Sequence, residues 1–140
     1  MKSFYKVIIG FIILMLFMGV VSAVDADDFK YPDSFKKSEG TDGYINTQGQ
    51  GMIIFDYEKS KEMFLTEHSN YAFDYYKNDV YVFSDATSGL AGFFEVVEFN
   101  GEKVIVISSI LSENVDKHGV AAYDNLMEFN RLNDVEPISV

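Results

Sequence analysis

The chain has no cysteine. That excludes thiol nucleophiles, zinc–thiolate sites, iron–sulfur clusters and disulfide staples. A small domain without staples holds together by burial, which assigns much of the 16% aromatic content to the core. Basic residues are also few, 11 against 22 acidic ones. Two of them, Lys2 and Lys6, stand before residue 7. Residues 24–140 therefore carry nine basic and 22 acidic side chains, a net charge of −13. A phosphate backbone needs a cationic face, so the balance argues against nucleic acid as a partner. It argues equally against docking on anionic lipid. The balance fits a solvated exported protein, or one that meets cations or a basic partner. No Asn-x-Ser/Thr sequon and no Gly-x-Ser-x-Gly string is present.

What is there begins with an export signal. Lys2 and Lys6 give a cationic start, and Val7 to Val21 run without a charge. Val21-Ser22-Ala23 then places small residues where a signal peptidase admits only small side chains. Val24-Asp25-Ala26 offers a second register. The reading is a signal peptide over 1–23, cut after Ala23 or after Ala26. The alternative is an uncleaved membrane anchor, but a spanning helix takes about 20 apolar residues. The Val7–Val21 run is shorter, and no Cys follows it to carry a lipid. The exported product is expected at the cell surface or secreted, with no membrane attachment after cleavage.

Residues 24–28 read as an acidic mobile leader, and 29–140 as one domain. Phe29, Tyr31 and Phe35 are spaced for one face of an extended segment, and Pro32 bars a helix there. Residues 36–51 are rich in loop-forming Gly, with a short extended piece at Gly43–Asn46. Met52–Tyr57 is apolar and β-prone, a buried strand. Glu58–Glu67 has helix formers. Four strands follow: Tyr71–Tyr76, Val80–Ser84, Gly92–Phe99 and Lys103–Leu111. Lys77-Asn78-Asp79 turns the first pair and Asn100-Gly101 the second, the latter being the strongest short hairpin signal in the chain. Val104-Ile105-Val106-Ile107 is apolar on both faces, which predicts a central strand covered on both sides. From about Lys117 to Asn133, Ala122, Tyr123, Leu126 and Phe129 share one arc of a helix. Pro137 ends any continuation, and Ile138 to Val140 form an apolar end suited to tuck back onto the sheet. Hairpin-joined strands with segregated helices read as α+β: an antiparallel meander with a short helix and a longer C-terminal helix packed on it.

Candidate chemistry is sparse. The two histidines, His68 in a polar loop and His118 at the start of the last helix, read as exposed, since nothing flags a Ser as the nucleophile that a triad would require. Asp25, Asp27 and Asp28 lack the alternating ligands, turn Gly and terminal Glu of a calcium loop. Glu95 and Glu98 point to opposite faces of one strand and cannot act as an acid–base pair. Glu95 shares its face with Phe93, Val97 and Phe99. An inward Glu is costly unless paired, and otherwise marks a site or an edge strand. Tyr71, Tyr75, Tyr76 and Tyr81 crowd the first hairpin. Such rings either stabilise it as cross-strand pairs or form an exposed binding surface. Asp85, in the following loop, joins that candidate surface.

Phe29-x-Tyr31-Pro32-x-x-Phe35, Gly89-Leu90-Ala91-Gly92-Phe93-Phe94-Glu95-Val96-Val97 and Phe129-Asn130-Arg131-Leu132-Asn133 resemble small exported proteins of unknown function from methanogenic archaea. More distantly, the aromatic-x-x-Pro opening and the element order resemble the PsbP-like fold, an antiparallel sheet flanked by helices. That resemblance implies an accessory or binding role. The expectation is thus an exported, non-enzymatic binding or interaction module without a cofactor, meeting a protein or carbohydrate partner at the cell surface. The alternative is a small-ligand or metal-binding protein with a pocket between the sheet and the C-terminal helix near Glu95.

Overall fold

Seven strands form one antiparallel sheet in the computed structural model, which describes residues 25–39, 43–65, 72–85, 89–111 and 115–140. The signal-like segment 1–23, His68 and Tyr71 lie outside the described residues. Two short strands, β1 (Lys36–Lys37) and β2 (Tyr44–Ile45), lead to β3 (Gly51–Asp56) and helix α1 (Tyr57–Leu65). Then come β4 (Ala72–Lys77), β5 (Val80–Asp85), β6 (Leu90–Phe99) and β7 (Glu102–Leu111), and last helix α2 (Val115–Asn133). The strand order is β1-β2-β3-β7-β6-β5-β4, so the doubly apolar β7 is central, as its sequence predicts. Among the described residues no helix is long and apolar enough to cross a membrane.

Alternation along the strands divides the interior into two layers. Ile53, Phe55, Phe94, Val96, Ile105 and Ile107 point to one face, where Phe64 of α1 covers them. Met52, Ile54, Phe93, Val97, Val104 and Val106 point to the other, under Ala122, Leu126 and Phe129 of α2. Asp56 ends β3 and caps α1, accepting the Lys59 N–H at 3.0 Å. Ser108 Oγ donates to the Ala122 carbonyl at 2.7 Å and ties α2 to β7. Gln50 Oε1 accepts from both Asn46 Nδ2 (2.8 Å) and Asn125 Nδ2 (3.0 Å), joining the β2–β3 connection to α2.

Two expectations are corrected at the N-terminal side. Phe29 and Phe35 are buried as their spacing implies, but the first strand begins only at Lys36. Pro32 makes a turn instead, its carbonyl accepting the Phe35 N–H at 2.9 Å. The described part of the acidic leader is anchored, not mobile. Ala26–Asp28 form a 3-10 turn capped by Asp25, and Ala26 is only 7% exposed. Tyr31 donates its hydroxyl to the Ala26 carbonyl at 2.8 Å, and Asp27 pairs with Lys37 at 2.9 Å. Tyr44 also donates to Asp27, and these contacts hold the Asp27 carboxyl below the usual range.

At the other end the tail tucks back as its apolar residues suggest. The Ile138 N–H donates to the Val96 carbonyl at 2.8 Å, and Ile138 packs on the α1 side of the sheet.

Candidate functional site

The first hairpin turns through Asn78 and Asp79, both with positive φ (51° and 62°). Lys77 pairs with Val80 and Tyr75 with Tyr81, which leaves Tyr76 as a bulge between them. A bulge bends its strand and re-aims a side chain. Tyr75 goes to the α1 face, where its ring meets Tyr81 edge-on at 5.6 Å. Tyr81 in turn stacks on the buried Phe94 at 5.3 Å. Partial burial, with Asp79 and Tyr75 nearby, raises the Tyr81 pKa. Tyr76 goes to the α2 face and packs between Phe93 (5.0 Å) and Tyr123 (5.4 Å). Lys77 Nζ sits over the Tyr76 and Tyr123 rings at 5.3 and 5.0 Å.

The tyrosines therefore do not form one row. Tyr75 and Tyr76 are exposed, at 59% and 45%, on opposite faces of an edge strand, while Tyr81 is half-buried packing. Asp85 is a second correction: it is only 7% exposed. It is the last residue of β5, paired with Leu90, and falls on the same inward face as Tyr81 and Phe83. Its carbonyl accepts the Gly89 N–H at 2.9 Å. It is no part of a surface.

Glu95 is the most unusual residue of the interior. It lies between Val80 of β5 and Val106 of β7 and is 0% exposed. Asn130 of α2 donates Nδ2 to Glu95 Oε1 at 2.7 Å. Burial pushes the Glu95 carboxyl up to about 8, against the opposing pull of that hydrogen bond. Its strand neighbours Val80 and Val106 have no exposed surface either. Asn130 was missed as its partner, although it follows Leu126 by four residues and so shares the buried stripe of α2. Tyr123 and Lys77 were also missed as neighbours of Tyr76, because a bulge cannot be read from alternation.

A cavity of about 490 Å³ lies at the opposite edge of the sheet, lined by Ser34, Lys36, Lys37, Ser38, Ile45 and Asn46 among others. Three of its polar residues are engaged with the fold, Lys37 with Asp27 and Asn46 with Gln50 and Ser34. Among the described residues no group of three or more His, Asp or Glu side chains is placed to hold a metal ion. Compared with protein-family models, curated proteins and solved structures, the chain matches none.

Proposed function

We propose that the protein is an exported, non-enzymatic binding module that meets a protein or carbohydrate partner at the cell surface through the β4–β5 hairpin. One observation carries the reading: Tyr75 and Tyr76 leave large aromatic surface in solvent on both sides of an edge strand. Tyrosine offers contact area at little entropic cost. Lys77 beside Tyr76 and Tyr123 adds a cation to that aromatic notch in an otherwise acidic protein.

The signal-like segment supports export, and of the two registers the N-terminal contacts favour a cut after Ala23. A cut after Ala26 would remove the Asp25 cap and the buried Ala26 that Tyr31 holds. Intact mass of the secreted protein checks this: a chain beginning at Val24 supports it, and one beginning at Asp27 overturns it.

The binding test uses a glycan array and cell-wall fractions with purified wild type and the Tyr75→Ser/Tyr76→Ser variant. The expected result is saturable binding that the variant loses while its circular dichroism stays unchanged. Equal binding by both proteins would remove the hairpin from the interface.

A further inference from the structure

Glu95 and Asn130 share one hydrogen bond, and each keeps one side-chain oxygen without a partner, Glu95 Oε2 and Asn130 Oδ1. Both are acceptors if the carboxyl is ionised, and buried acceptors left unpaired are costly. A planar carboxyl and a planar amide joined by one bond need a single proton to share a second. We propose that Glu95 and Asn130 form a proton-dependent latch, in which the protonated carboxyl donates Oε2–H to Asn130 Oδ1. The closed two-bond pair clamps the end of α2, and the tail behind it, onto β6.

The tail is tied to the same place. The Asn130 carbonyl accepts the Val135 N–H at 3.1 Å. Ile138 bonds Val96, the residue after Glu95, and Ser139 Oγ donates to Asp79 Oδ1 at 3.0 Å. Removing the proton sets a buried carboxylate oxygen against the amide oxygen of Asn130. Asn133 pins the end of α2 to the Lys30 backbone through two bonds of 2.8 Å, so the tail beyond it, held by the Val135, Ile138 and Ser139 bonds, is the element that can shift and admit water.

Among the described residues, Glu95 bonds a neutral amide and no cationic side chain. β5 and β7 present Val80 and Val106 to it. On β4 and α2, Lys77, Tyr76 and Tyr123 are engaged with one another. Glu128 pairs with Arg131, while Asp124, Asp134 and Glu136 are exposed. In the N-terminal segment Asp25, Asp27, Asp28, Lys30 and Asp33 are exposed, and Tyr31 is bonded to Ala26. Lys103 and Glu102 of β7 are also exposed.

The test is carboxyl ¹³C and amide NMR on the purified protein from about pH 4 to about pH 10. Glu95 Cδ is expected to titrate well above the surface carboxylates. The amides of Val135 and Ile138 should move with the same midpoint. In Glu95→Gln, whose Nε2 supplies a permanent donor to Asn130 Oδ1, those amides should stay fixed throughout. A Glu95 signal that titrates with the surface carboxylates overturns the proposal. So do tail amides that ignore the Glu95 titration, or that move equally in Glu95→Gln.

Discussion

The β6–β7 hairpin runs ten residues a side through the middle of the sheet, whereas β4–β5 runs six a side and closes its edge. Both turn through two residues with positive φ. The central hairpin uses Asn100 and Gly101 (52° and 82°), and the edge hairpin uses Asn78 and Asp79 (51° and 62°). Gly accepts that backbone freely, while Asp in the left-handed region costs about 1 kcal/mol. From Leu90 to Val97 every residue of β6 is buried, while Tyr75 and Tyr76 of β4 stand in solvent. The centre of the sheet carries the stability, and the edge is free to present side chains.

The sharpest way to break this comparison is to truncate one ring in each hairpin. Phe94→Ala, in the central layer between Phe64, Tyr81 and Phe83, is expected to cost about 3–5 kcal/mol in urea unfolding. Tyr75→Ala at the edge should cost under about 1 kcal/mol. Similar losses at the two positions would show that the edge hairpin is part of the folding core.

Titration of Glu95 is next in size. Its folded-state pKa, about 8, lies above the ordinary 4.5. Between those values the native state holds the proton and the unfolded state does not. Stability from this group is therefore full below the ordinary value, declines as pH rises, and is gone above about 8. The span is on the order of 5 kcal/mol. Melting curves of wild type should fall across that window, and Glu95→Gln should remove this decline. Parallel curves for both proteins would assign the pH dependence to other groups.

Gly92 of β6 tests how closely the central strands approach. A Cβ there would lie 2.1 Å from the Ser108 carbonyl oxygen, on backbone that cannot swing away. Gly92→Ala should lose about 3 kcal/mol by thermal melting. Ser84→Ala, on an exposed position of β5, should change stability by less than about 0.5 kcal/mol. Smallest is Asp79→Gly. It relieves a left-handed residue but loses the Ser139 bond to Asp79 Oδ1, for a net gain of about 0.5 kcal/mol. A fall in melting temperature would mean that the tail contact outweighs the turn.

Much of the architecture was legible locally. Asn-Gly between apolar runs marked one turn, alternation marked the strands, and the doubly apolar 104–107 run marked the centre. The three-four spacing of Ala122, Leu126 and Phe129 marked the buried stripe of α2. The candidate surface was legible only in part. Tyr75 and Tyr76 are exposed, but their separation onto two faces comes from a one-residue bulge that no pattern announces. Asp85 looked like loop because Thr87-Ser88-Gly89 follows it, yet β5 runs one residue further and carries Asp85 inward.

Sequence alone determined the features that depend on neighbours along the chain: turn residues that accept positive φ, the period of two in the strands, and the helical stripe. Each is set by backbone sterics and by which side chains repel water within a few residues. Tertiary structure alone decided which hairpin became the edge, and so which tyrosines meet solvent. It also decided the partner of Glu95, since Asn130 lies 35 residues away in sequence. A buried carboxyl finds its partner only after sheet and helix have closed over it, because desolvation, not proximity along the chain, makes that pairing matter.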